Sequence, residues 1–235
     1  MKRIIKISLI LLLVGMAVIA AVPFFKEKRA ERKYENEFKN IQESVTEKKS
    51  DVNGLVKKNK DCIGYVQIPG TTISYPVMQT KDKPDFYLNH DFNRNYSFYG
   101  TSYLSAYCDV NKSDNLIIYG HNINGGKMFG ALEQYKDKKF FNKHRKIYFT
   151  TDKKREYEVF AVMSVNIHEF EYWKFVMARD AKEYDEFVDK MEEHSLWRRE
   201  NKPKYGEQML MLSTCDNGKG DDWRIVVIGK EIFLK

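Results

Sequence analysis

Met211-Leu212-Ser213-Thr214-Cys215 and Arg224-Ile225-Val226-Val227-Ile228 are the two stretches that decide the fold. The first ends a strand-like apolar segment on a thiol, and the second opens another on a guanidinium, nine residues after the cysteine. Between them, Asp216-Asn217-Gly218-Lys219-Gly220 has loop composition. A hairpin over this segment sets thiol and guanidinium at the same end of a sheet. A thiol is a nucleophile; a guanidinium is a fixed cation that holds an oxyanion but does not serve as a base. The missing proton-handling group is offered by Tyr119-Gly120-His121-Asn122.

Working outward, the remaining pattern is mostly β. Ile63-Gly64-Tyr65-Val66-Gln67-Ile68, then Pro69-Gly70, then Thr72-Ile73-Ser74-Tyr75-Pro76-Val77 reads as strand, turn, strand. Leu116-Ile117-Ile118-Tyr119 is a short buried strand that stops at Gly120. Residues 128–135 read as a helical turn or two, and 146–150 and 156–166 as strands. The last alternates apolar side chains at Tyr157, Val159, Ala161, Met163 and Val165. Tyr184, Phe187, Val188 and Met191 follow helical spacing, so an amphipathic helix is expected between strands. Strands resume over 208–214 and 224–233. Many short strands with few helices predict a closed or nearly closed β-barrel.

The chain has 235 residues, enough for one domain with a real core once the terminal segments are set aside. Its 3 cysteines are widely spaced, without CxxC or zinc-ligand spacing, and its 5 histidines form no H-x-x-x-H pair. No structural metal and no cofactor is expected. Either Cys62 pairs with Cys108, leaving Cys215 free, or Cys62 and Cys108 are two unpaired structural thiols. The net charge of +7 is spread along the chain without a nucleic-acid motif. It fits a protein near an anionic surface, or simply a solvated exterior.

Residues 7–25 carry no charge; at about 1.5 Å per helical residue they reach ~28 Å, about one hydrocarbon core. A cleaved signal peptide, with small residues at Ala17, Ala20 and Ala21, and a retained anchor are the two readings; full spanning length favours the anchor. Lys26, Lys28, Arg29, Arg32 and Lys33 outnumber Lys2, Arg3 and Lys6, so charge alone does not place the domain outside. Residues 26–60 read as a helix with an apolar stripe at Tyr34, Phe38, Ile41 and Val45, and Asn53-Gly54 as a break. The expected organisation is a membrane anchor (1–25), a helical juxtamembrane segment (26–60) and a catalytic domain (61–235).

Each chemical signal has a bland alternative. Cys215 alone is a small buried hydrophobe as readily as a nucleophile, His121 a surface histidine and Arg224 a surface cation. Together they supply nucleophile, proton donor and oxyanion holder at strand ends, which suits acyl transfer without a metal. Leu212-Ser213-Thr214-Cys215, Arg224-Ile225-Val226-Val227 and Tyr119-Gly120-His121-Asn122 together resemble a sortase, the membrane-anchored transpeptidases of Gram-positive bacteria. The likeness runs from about Cys62 to the C-terminus. Tyr87-Leu88-Asn89-His90-Asp91-Phe92, Gly126-Lys127-Met128-Phe129 and the helix near 180–195 resemble class B. Met211 departs from the family's TLxTC pattern, which has Thr there; it removes no catalytic group and faces the side of Ser213 and Cys215.

The resemblance implies a closed eight-stranded sortase-type β-barrel with an N-terminal helix and an inserted helix before the penultimate strand. It implies that Cys215 attacks the Thr carbonyl of a C-terminal sorting motif, His121 handles protons and Arg224 stabilises the oxyanion. The partners implied are surface proteins bearing that motif and a peptidoglycan or lipid II peptide amine, with the N-terminus cytoplasmic and the catalytic domain outside. Ser213, Asn89 and Tyr172 are expected at the substrate. A pilus-type sortase, or a peptidase that hydrolyses the same intermediate, is the alternative.

Overall fold

The structure is a computed structural model and describes residues 2–47 and 52–232. It separates into two compact units, Met1–Asn40 and Ile41–Lys235. The helices are α1 (Lys2–Glu47), α2 (Val52–Lys58), α3 (Lys138–Lys143) and α4 (Ala181–Glu193). The strands are β1 (Cys62–Gln67), β2 (Ser74–Met78), β3 (Tyr103–Leu104), β4 (Asn115–Tyr119), β5 (Asn122–Ile123), β6 (Lys127–Met128), β7 (Lys146–Thr150), β8 (Lys154–Asn166), β9 (Ser195–Arg198), β10 (Met209–Cys215) and β11 (Trp223–Ile232).

The first unit is helical throughout its described residues. The apolar run 7–25 lies within α1, with Leu11, Leu12, Ile19 and Phe25 exposed. Among the described residues, no helix is long and apolar enough to cross a membrane. The side chains of residues 8–10, inside that run, lie outside the description. Tyr34 and Phe38 are buried, with ring centroids 4.7 Å apart. The Val45 side chain, expected on the same stripe, also lies outside the described residues.

In the second unit, the order β11-β10-β4-β3-β2-β1-β7-β8 closes when β8 pairs with β11, giving an eight-stranded barrel. The β4–β10 and β2–β3 pairs are parallel and the other pairs of the ring antiparallel. At 13 residues, β8 is long enough to share one edge between β7 and, further along at Ala161–Met163, the short β9. By register, side chains from successive walls turn inward together: Val66, Val77, Ile118, Phe149, Val162, Leu212 and Val227 are all essentially inaccessible.

α4 buries Tyr184, Phe187, Val188 and Met191, the side chains its spacing singles out. Asp180 caps it by accepting from the Glu183 backbone N–H at 2.9 Å. It enters before β9, which intervenes ahead of the penultimate strand β10. Asn53-Gly54 is not a break but lies inside α2. Buried Val52 and Leu55 hold that turn, against roughly 1 kcal/mol for a helical glycine. Residues 129–136 are a 3-10 segment followed by α3, whose first N–H groups Asp137 caps.

Candidate active site

Strand pairing brings the chemical groups together. β4 and β10 run parallel, with Leu210 beside Leu116 and Ser213 beside Tyr119, so both strands deliver their C-terminal ends to one rim. Past the last pair the segments stay joined: the Gly120 N–H donates to the Ser213 carbonyl at 3.2 Å, and the Thr214 hydroxyl donates to the Gly120 carbonyl at 2.7 Å. On the other side of β10, Cys215 lies directly across from Arg224. The turn between them is closed by Asp216 N–H to the Trp223 carbonyl at 2.9 Å.

Cys215, His121 and Arg224 all line one cavity of about 540 Å³. Each is partly buried, so each is supported by protein and still reachable. His121 Nε2 lies 2.7 Å from the Leu88 carbonyl, and its ring stacks beside Phe98 at a centroid separation of 6.5 Å. A carbonyl only accepts, so in this arrangement Nε2 carries the proton. Arg224 Nη1 donates to the Trp223 carbonyl at 2.9 Å and to the Asp221 carbonyl at 2.5 Å, which fixes the guanidinium plane. Among the described residues no carboxylate pairs with it, so its charge is not cancelled by a salt bridge.

Beneath the cavity, Asp216 is fully buried. Its carboxylate meets Lys136 Nζ at 2.5 Å and accepts from the Ser164 hydroxyl at 2.6 Å. Burial opposes its ionisation, but these hydrogen bonds outweigh burial and hold its carboxyl below the usual range. Cys62 and Cys108 are both free and buried. Burial pushes the Cys62 thiol up to about 12 and the Cys108 thiol up to about 11.

Of the residues expected at the substrate, Ser213 lines the cavity. Tyr172 does not: its ring is buried behind Ser213, their hydroxyls 2.8 Å apart, and burial raises its phenol to about 12. The next residue, Trp173, forms the wall instead. Asn89 is exposed, outside the lining set, and its carbonyl accepts the Ser97 N–H at 3.0 Å. Met211 is buried against the Asn115 amide, Nδ2 to Sδ 3.6 Å, away from the cavity. The glycine after β4 serves the protein's own packing: a Cβ on Gly120 would stand 2.8 Å from the Phe129 ring. On the opposite wall, Leu88 belongs to the quoted stretch Tyr87–Phe92, but no motif pointed to Asp85, to Tyr103 of β3 or to Tyr107, all of which lie between β2 and β4.

The family model for the sortase domain matches residues 66–232. The chain belongs to the sortase family. Its curated relatives place it in class B. It is 31% identical to sortase B of Listeria monocytogenes over 78% of this chain and 75% of that one. It is 28% identical to sortase B of Staphylococcus aureus over 99% of this chain and 98% of that one. Among solved structures, the Staphylococcus aureus sortase B–substrate complex matches at 28% identity and a TM-score of 0.74, covering 89% of this chain and 98% of that chain. A sortase B complexed with triglycine matches at 28% identity and a TM-score of 0.76, covering 89% of this chain and all, 100%, of that chain. Sortases are cysteine transpeptidases associated with the cell surface, and this sortase anchors proteins to the cell wall. The pilus-type and purely hydrolytic alternatives are not favoured.

Proposed function

We propose that Cys215, His121 and Arg224 carry the transpeptidation, and that the acyl donor is the Thr of a C-terminal sorting signal. The supporting observation is that sulfur, imidazole and guanidinium line the same cavity although 103 positions of sequence separate His121 from Arg224. The Cys215 sulfur adds to the Thr carbonyl carbon, and the resulting oxyanion is held by Arg224. As the tetrahedral adduct collapses, the C–N bond breaks, and His121 gives a proton to the leaving amine. A thioester remains on Cys215. An incoming peptidoglycan or lipid II amine loses a proton to His121, attacks the thioester and releases the thiolate. The substrate-bound and triglycine-bound sortase B relatives support both substrate classes.

Ser213 contacts the bound signal from the cavity wall, with Tyr172 fixing its hydroxyl from behind. Asn89, exposed beside Leu88, meets the part of the peptide that leaves the cavity. Residues 1–25 anchor the chain, with the N-terminus cytoplasmic and the catalytic domain, 61–235, outside on the helical segment 26–60. The uncharged length of 7–25 supports that anchor.

The test is incubation with a sorting-signal peptide library and a peptide amine, followed by mass spectrometry. The parent protein gives a Cys215 thioester and a ligated product; Cys215→Ala, His121→Ala and Arg224→Ala give neither while remaining folded. Normal ligation by Cys215→Ala refutes the assignment.

A further inference from the structure

The residue after His121 is tied to the backbone of Cys215. The β4–β10 ladder ends at Ser213, yet the Asn122 side chain extends it, Nδ2 donating to the Cys215 carbonyl at 2.7 Å. The same amide nitrogen donates to Glu133 Oε1 at 2.7 Å. Glu133 Oε2 meets Lys136 Nζ at 2.5 Å, and Lys136 Nζ meets Asp216 Oδ1 at 2.5 Å. Asp216 is the residue after Cys215, so the chain of contacts closes on itself: 122, 133, 136, 216, 215 and back to 122. From the loop side, Asn217 Nδ2 donates to the Asn122 carbonyl at 3.3 Å. None of Asn122, Glu133, Lys136 and Asp216 lines the cavity.

We infer that Asn122 is a positioning residue whose amide brackets the nucleophile's backbone to the segment carrying the proposed acid–base, with Glu133, Lys136 and Asp216 as its brace. The inference rests on the roles proposed for Cys215 and His121. The chemistry calls for an amide. Two N–H donors on one nitrogen face two acceptors, a carbonyl and a carboxylate, and aspartate of the same shape presents no donor and adds charge beside Glu133. Glu133 is itself oriented by Lys136, and Lys136 is held by the buried Asp216. Small displacements of reacting groups are costly: about 1 Å corresponds to roughly 10²-fold in rate.

The experiment compares full-length parent protein with Asn122→Ala and Asn122→Asp. Three readouts are taken: single-turnover formation of the Cys215 thioester, KM for the sorting peptide, and alkylation of Cys215 by iodoacetamide. We expect acylation to fall on the order of 10- to 100-fold, with KM within about threefold of the parent. Alkylation, which needs no alignment with His121, stays within about twofold. Acylation by Asn122→Ala within twofold of the parent overturns the inference, as does a loss seen equally in acylation and alkylation. If Asn122→Ala does not fold, Asn122→Asp, equal in size, decides on the same criteria. Absence of a thioester in the parent protein itself strikes the assignment of Cys215; a parent that acylates, with variants that match it, strikes only the bracket.

Discussion

Gly100→Ala tests how the proposed acid–base is held. Gly100 closes a turn by donating to the Ser97 carbonyl at 3.1 Å, and its φ is +60°. An alanine in the left-handed region costs about 1–2 kcal/mol. Its Cβ would also stand 2.3 Å from the Leu88 carbonyl oxygen and 2.7 Å from that of Tyr87, where ordinary contact begins at 3.4 Å. Overpacking of this kind costs about 1–3 kcal/mol. The sum, roughly 2–5 kcal/mol, lowers the melting temperature on the order of 10 °C in a chain of this size. The shortfall is not only a stability matter. Leu88 O is the atom 2.7 Å from His121 Nε2, and relieving the overlap moves it by about 1 Å. A displaced imidazole corresponds to roughly 10²-fold in peptide cleavage. Thermal melting followed by circular dichroism reads the first effect. Initial cleavage rates at 25 °C, with the variant still folded, read the second. A variant that melts within 1 °C of the parent refutes the steric argument; one that melts lower but cleaves within twofold refutes the link to His121.

Three further outcomes are expected. Ser213→Ala leaves the buried Tyr172 hydroxyl without its partner and costs about 1–3 kcal/mol, read as a lower urea midpoint; an unchanged midpoint counts against that pair. Asp216 has a lowered carboxyl pKa, so its stabilisation is present above the unfolded value of ~3.9 and is lost as pH falls through the folded value. Asp216→Asn therefore flattens the acid limb of stability against pH below about 4, and parallel curves for the two proteins would show the sign to be wrong. Iodoacetamide at pH 8 alkylates Cys215 well ahead of Cys62 and Cys108, whose thiolate fractions at about 12 and 11 are on the order of 10⁻⁴ and 10⁻³. Peptide mapping that finds Cys62 modified first would contradict their burial.

The hairpin carrying Cys215 and Arg224 was legible because both strands are long apolar runs bounded by turn residues, and register follows once the turn is placed. α4 was legible for a related reason: its apolar spacing marks one face. Two-residue strands such as β3, β5 and β6 leave no periodicity to detect. Apart from Leu88, the far wall of the cavity was hidden because the segment from Pro84 to Tyr107 is mostly irregular and is shaped by its own backbone bonds. The choice of Tyr172 over Trp173 turns on a finer detail. Tyr172–Lys174 is a 3-10 turn, in which successive side chains point about 120° apart, so one aromatic goes inward to Ser213 and its neighbour to the cavity. The Asn122 bracket depends on tertiary contacts across 93 residues and has no local signature.

The closure of β8 on β11 has a temporal meaning. Chains emerge from the ribosome N-terminus first, and of the barrel strands described, β11 is the one that appears after all the others. Until then the sulfur has no guanidinium across from it, because both belong to the final hairpin. On the roles proposed for these groups, synthesis order delays competence: a nascent or prematurely terminated chain lacking β11 carries an imidazole, and even a thiol, without the cation proposed to steady negative charge on a bound carbonyl. On that proposal, finishing the wall and arming the catalyst are one event.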